Sequence, residues 1–345
     1  RRWVSTAVMT LAQQIADEDD ALYPLMFSPL QVGARRLRNR IVHASMSTRY
    51  AANMEVTQKL IDYHANRARG GAAMIVTEPQ GMTPWQKIPT RVMVYEQDNL
   101  DGLKRWAEAV EGEDCRLLGQ VQDSGRGRHK AGRNAGAIGP SARPDDLSWT
   151  VPHVMSTDDI KRILEYFALS CGKLRRAGFS GVEISAGHGH LFHQFMSPWS
   201  NGREDDYGGD LPNRLRLVQE LIEAIRAECG RDFILGLKLP GDDGVPGGIG
   251  PGEAEEITRW FASRHEVDFF CYCMGSHHRS LEMHIPDMHY ERGTFLPLIK
   301  RMRDAAEGIP VCAVGRVLEP AQGEALFADG TAELVGLGRT LVTDA

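Results

Sequence analysis

Two short stretches towards the C-terminal end join a glycine to an arginine, Gly315-Arg316 and Gly338-Arg339. Glycine lets the backbone approach an anion closely, and a guanidinium offers two parallel hydrogen bonds to phosphate oxygens. The pair reads as a phosphate-binding element; the plainer alternative is two surface arginines after ordinary turns. A second polar set comprises Ser47 and Thr48 in one stretch, with Gln120 and Lys238 further along, Lys238 at the end of its strand. A side-chain amide can donate and accept along one edge of a flat heterocycle. A fixed cation beside that edge would stabilise negative charge developing there. A third group is the run Ser185-Ala186-Gly187-His188-Gly189-His190, continuing through Leu191 and Phe192 to His193. Histidines in such a run can hold an anionic substrate, move a proton or bind a metal. His188 and His190 are candidates for such roles, whereas His193 reads as packing on a helix face. His277, His278, Asp242 and Asp243 could join them in a metal-dependent barrel hydrolase, the alternative from a different class. That site would need several of these side chains to converge, which spacing does not show.

Residues so far apart need a frame that gathers them. Short apolar runs fall near residues 41–44, 73–76, 117–121, 181–184, 234–239, 267–272, 311–314 and 334–337. Several lack alternation, as expected of parallel strands buried on both faces. Helical patterns lie between them. Ser156 is a candidate N-cap followed by Asp158 and Asp159, with Ile160, Ile163, Leu164, Phe167, Cys171 and Leu174 on one face and Gly178 as the stop. Asp210 opens another helix, with Leu215, Val218, Leu221, Ile222 and Ile225 inward and Gly230 at its end. Eight strands each followed by a helix predict an α/β fold, a (β/α)8 TIM barrel. An open doubly wound sheet would carry a glycine-rich turn after its first strand, and residues 40–50 contain no glycine. In a barrel the loops at the C-terminal strand ends build the site, and the loops after strands seven and eight bind phosphate. Both Gly-Arg pairs fall there. The stretch 241–252 reads as a loop after strand five.

Bulk properties narrow the classes. The 345 residues are 42% hydrophobic and 25% charged, with a net charge of −6. No Lys/Arg block offers a footprint for nucleic acid, and no apolar run approaches the ~18 residues that would cross a bilayer. A cytoplasmic protein acting on a small molecule is expected, with self-association into a homo-oligomer left open. Arg1-Arg2 lacks the apolar stretch and cleavage site of an export signal, so residues 1–22 read as an extension and 23–345 as the barrel, its eighth helix incomplete. The six cysteines read as buried thiols; Cys271 and Cys273, the only close pair, are expected on opposite faces of their strand, and no metal site is assigned.

The residues around these groups resemble the Old Yellow Enzyme superfamily of NADH:flavin oxidoreductases. The resemblance rests on Gly178-Phe179-Ser180-Gly181-Val182-Glu183-Ile184 and on His188 through Ser197-Pro198. It continues through Asn201-Gly202-Arg203-Glu204-Asp205-Asp206-Tyr207-Gly208-Gly209 to Asn213-Arg214-Leu215-Arg216. Leu25-Met26-Phe27-Ser28-Pro29-Leu30, Asn39-Arg40-Ile41-Val42, Ala313-Val314-Gly315-Arg316 and Val335-Gly336-Leu337-Gly338-Arg339 extend it from Leu25 to the end. It implies FMN in the barrel mouth, its phosphate on the two Gly-Arg pairs, and hydride exchange through flavin N5. Ser45, Met46 and Ser47 then fall beside the ring, Ser47 at the position that tunes its O4 side. Pro79 falls where backbone approaches the flavin without an N–H to give. Gln120 matches the pyrimidine-edge amide, and Lys238 a position usually held by arginine.

Three positions depart from the commoner pattern. Ser185 and His188 stand where many members grip the substrate carbonyl with His and His or Asn. His190 replaces a proton-delivering tyrosine, and Lys238 lacks the fork of arginine. The pattern is similar to the branch of trimethylamine dehydrogenase and 2,4-dienoyl-CoA reductase. Ser47 stands at the cysteine that joins flavin covalently in the former, so no thioether forms there. An iron–sulfur cluster is implied only if the natural chain extends beyond this sequence. The activity implied is reduction of a small activated alkene, with NAD(P)H as candidate donor. Oxidative N-demethylation of a small amine or betaine is the alternative.

Overall fold

The computed structural model describes residues 22–95, 98–127, 132–277 and 279–344. Most of the expected extension, and His278, therefore lie outside the described residues. The first elements are a hairpin, β1 (Leu30–Val32) and β2 (Arg35–Leu37), followed by the first barrel strand, β3 (Ile41–His43). After helix α1 (Gln58–Arg69) come β4 (Met74–Pro79), α2 (Leu100–Glu111) and β5 (Arg116–Val121). An excursion, β6 (Gly132–Gly139) and β7 (Thr150–Val154), precedes α3 (Thr157–Arg176) and β8 (Gly181–Ser185). Helices α4 (Leu191–Met196) and α5 (Leu211–Cys229) lead to β9 (Ile234–Asp242), α6 (Pro251–Ala262) and β10 (Phe269–Met274). The chain continues through α7 (Leu281–His284), α8 (Leu296–Ala305), β11 (Val311–Ala313), α9 (Pro320–Ala328), β12 (Leu334–Leu337) and the short α10 (Thr340–Thr343).

Eight of these strands close in the order β3-β4-β5-β8-β9-β10-β11-β12, all parallel and with β12 paired back to β3. This is a TIM barrel. Each of the eight apolar runs is a barrel strand. The helix signals hold as well: Ser156 accepts from the Asp159 N–H in a capping box on α3, and Asp210 caps α5. Gly230 ends α5 at φ +73°, a left-handed conformation that favours glycine.

Two apolar masses result. The larger lies between strands and helices and includes Trp106, Phe167, Phe192 and Ile257. The smaller fills the barrel: Val42, Met74, Leu118, Ile234, Phe269 and Leu334 meet Val32 and Leu37 of the β1-β2 hairpin, which plugs the lower end. Gly236 makes room for the Phe269 ring, which would collide with any Cβ there.

Two expectations need correction. Strand five runs to Asp242, because Pro240 and Asp242 pair with Cys273 and Met274 across a bulge. Lys238 is thus inside the barrel rather than at its rim. Cys271 and Cys273 share one face, since side chains two apart on a strand point the same way. Tyr272 between them points outward and bonds the Thr258 hydroxyl at 2.9 Å. All six cysteines are buried free thiols.

Candidate functional site

Strand register sets the floor of the barrel mouth. Gln120 on β5 pairs with Glu183 on β8, and Ser185 two residues on pairs with Lys238 on β9. Gln120, Glu183 and Lys238 therefore meet in one layer. The Glu183 carboxylate accepts from Gln120 Nε2 at 2.8 Å and from Lys238 Nζ at 2.9 Å. Ser45 completes the chain by donating to Gln120 Oε1 at 2.9 Å. All three floor residues are buried. Burial alone would push Lys238 down, but the adjacent Glu183 carboxylate outweighs it and holds the ammonium well above its usual range. Pro79 ends β4 in register with Gln120.

The segment after β3 is fixed from below. Glu78 on β4 accepts from the backbone N–H of Thr48 at 2.5 Å and of Arg49 at 3.2 Å, and from the Thr48 hydroxyl at 2.9 Å. Burial raises Glu78 and these bonds partly offset the rise. Ser47 remains exposed, while Met46 passes beneath Gly338, whose Cβ position lies 2.8 Å from Met46 Sδ.

The Gly-Arg turns lie side by side, at the ends of the neighbouring strands β11 and β12. Gly315 adopts φ +117° and Arg316 φ +57°. Arg316 donates to the Asp287 carbonyl and Arg339 to the Pro286 carbonyl at 2.7 Å. Two guanidiniums thus converge on adjacent oxygens of the segment after β10, and buried Arg316 Nε has no hydrogen-bond partner.

Four histidines cluster in the loops after β8 and β10. His188, at φ +60°, lies 6.3 Å from His190 and 3.8 Å from His284 between ring centroids. His277 lies 5.6 Å from His190 and 4.6 Å from His284. The loops are joined by the His277 N–H, which donates to the His188 carbonyl at 3.0 Å. Burial, then His284 and Lys238, push His188 far below the ordinary imidazole range, so it is neutral at pH 7; its Nδ1 is buried without a partner. Ser185 is buried at the end of β8, outside this ring cluster. His193 does pack on α4 as expected, yet it is also polar: Nδ1 accepts from the Gly189 N–H at 2.7 Å and Nε2 meets Asp243 at 2.8 Å. It clamps the loop that carries His188. Among the described residues no three His, Cys, Asp or Glu side chains form a group suited to a metal ion.

The profile of the NADH:flavin oxidoreductase / NADH oxidase family matches residues 25–345. The chain belongs to that family. A metal reductase of Desulforamulus reducens is 33% identical over 322 residues, covering 93% of this chain and 47% of that protein. The N,N-dimethylglycine/sarcosine dehydrogenase of Chromohalobacter salexigens is 28% identical over 330 residues, covering 93% and 47%. A solved complex of 2-naphthoyl-CoA reductase superposes with a TM-score of 0.83 at 26% identity, covering 92% of this chain and 50% of that one. The chain spans about half the length of these relatives. No helix among the described residues is long and apolar enough to cross a membrane.

The family is FMN-dependent, and the donor set suits that group. Two convergent guanidiniums, one with a spare buried Nε, match a phosphate, and Gly338 leaves a cradle that a side chain would fill. Gln120 keeps a second amide hydrogen and a second lone pair beyond its two bonds. Two residues escaped the sequence reading: Glu183 and His284. Glu183 carried a signal, a lone carboxylate between Val182 and Ile184 in an apolar strand. His284 stands on a four-residue helix and carried none.

Proposed function

We propose that this chain is an FMN-dependent oxidoreductase that takes hydride from NAD(P)H and delivers it to a small electron-poor alkene. When bound, the flavin supplies reversible two-electron hydride exchange at N5. The observation that supports the reading is one mouth holding both the convergent pair Arg316 and Arg339 and the Gln120–Glu183–Lys238 floor. Arg316 and Arg339 would hold the phosphate, exchanging their carbonyl acceptors for phosphate oxygens. Gln120 would meet the polar edge of the ring, and Lys238 would stabilise negative charge there. Glu183 tempers that charge, because the ammonium is already paired. In the same mouth, neutral His188 could donate from one nitrogen to a substrate carbonyl and accept at the other. His190, which heads α4 and faces His277, is the proposed proton donor.

Oxidative N-demethylation is the second reading. It is favoured by the unpartnered Nδ1 of neutral His188, which can accept a proton from an amine, and by the likeness to a dimethylglycine/sarcosine dehydrogenase. Anaerobic mixing separates the two. NADH or NADPH should bleach the flavin absorbance and an activated alkene should restore it, whereas bleaching by sarcosine and not by NADH or NADPH selects demethylation. A colourless protein that takes up no FMN would overturn both.

A further inference from the structure

Beside the histidines, a recess with about 20 Å³ of open interior is walled by Arg126, Arg279, Trp199 and Asp146, with His193 and Asp243 at the back. That is room for a group a little larger than one water, the size of a carboxylate head. Its position follows from chain connectivity. Gly189 and Ser276 also line it, and His188 and Ser276 form a β-bridge. The recess and the His188–His277 pair are therefore built from the same two loops.

The Trp199 ring gathers three guanidiniums: Arg143 at 4.0 Å, Arg126 at 4.5 Å and Arg279 at 5.1 Å from its centroid. Like charges assemble this way only where anions or ring faces offset them. Arg143 is engaged by the Trp199 carbonyl, and Arg279 by Asp146 at 3.3 Å. Asp243 is taken up by His193 and by the Ile249 N–H at 2.8 Å. Asp145 accepts from Ser148, at 2.8 Å from its N–H and 2.6 Å from its hydroxyl. Asp146 Oδ2 and Asp243 Oδ1 are buried and make no hydrogen bond beyond these ion pairs. Arg126 is 3% exposed, and its Nε has no hydrogen-bond partner. Burial depresses it to about 10, with Asp146 and Asp145 offsetting only part of the cost. A buried, under-neutralised guanidinium at the wall of a small recess is the chemistry of an anion-binding site.

We propose that Arg126, supported by Arg279 and Trp199, receives the carboxylate of the substrate, so that the enzyme acts on small carboxylic acids whose reactive end lies beneath His188. The assignment rests on the flavoenzyme reading and narrows its substrate class. The probes are trans-4-oxopent-2-enoate and its methyl ester, which share one activated double bond and differ in charge. Calorimetric titration of the oxidised holoenzyme should show the acid bound at least ~10-fold more tightly than the ester, and Arg126→Gln should remove that preference. A buried charge-assisted contact carries about 10- to 100-fold. Arg126→Lys should keep part of it, and Arg279→Gln serves as the rim variant if Arg126→Gln does not fold. Equal binding of acid and ester by the wild type, or an acid preference that survives both Arg→Gln changes, overturns the proposal. Inorganic phosphate that displaces the acid at equal concentration would assign the recess to phosphoryl groups and overturn the carboxylate. Flavin absorbance and its bleaching by NAD(P)H, read on the same samples, report the flavoenzyme reading separately.

Discussion

Glu183→Gln is the most informative single change, because it removes one charge from the floor while keeping its shape. The carboxylate holds Lys238 at 2.9 Å and Gln120 at 2.8 Å, with all three side chains buried. Removing one partner of a buried ion pair costs about 3–5 kcal/mol, since the other charge stays desolvated. The amide retains a neutral hydrogen bond worth about 1 kcal/mol, so a loss of about 3 kcal/mol is expected. Unfolding entropy near 2.1 cal/mol/K per residue, over 345 residues, makes this a fall of about 4 °C in Tm. Calorimetry on Glu183→Gln, Lys238→Met and the double variant completes the cycle; the double should recover most of the loss. The pH dependence has a defined sign. Lys238 is raised in the folded state, so the pair's contribution is full below about pH 10 and fades as pH climbs above that. The gap between wild type and Glu183→Gln should be flat from pH 7 to 9 and close at the alkaline end. A Tm change under about 1 °C, or a double variant no better than Glu183→Gln, would refute the account of the floor.

Other expectations follow from the same geometry. Arg316→Gln and Arg339→Gln should each weaken FMN binding about 10- to 100-fold in fluorescence titrations, while Arg162→Gln on the exposed face of α3 should change nothing. Gly236→Ala, which drives a methyl into the Phe269 ring, should cost about 1–3 kcal/mol in urea unfolding; Phe269→Leu in the same chain should return part of it. Burial lowers His43 to about 4 and His64 to about 3. Their stabilisation is present above the unfolded value near 6.5 and is lost as pH falls towards the folded values. Each should remove up to about 2 kcal/mol between pH 6.5 and 5, and His64→Gln should flatten the acid limb of Tm against pH.

The frame was readable because a parallel strand buried on both faces becomes an apolar run that needs no partner to be seen. Lengths were less visible: β9 reaches Asp242 only because β10 offers Met274 across a bulge, which is a property of the neighbour. The hairpin escaped because three-residue strands such as Arg35-Arg36-Leu37 are too short to show a period. In the site, single positions were legible and couplings were not. Gln120 and Lys238 each announced a polar group at a strand, but their joint carboxylate depends on register across β5, β8 and β9. The histidine row likewise needs two loops 89 positions apart, joined where His277 donates to His188.

The hairpin at the lower end has a kinetic consequence. With the barrel filled by apolar side chains and its lower end covered by Val32 and Leu37, ligands would come and go through the mouth. On the proposed flavoenzyme reading, reductant and acceptor would share one doorway and take turns, each leaving before the other enters. Such traffic would give double-displacement kinetics with parallel reciprocal plots, and excess of either partner would block the other. A device that looks purely architectural thereby dictates the order of events.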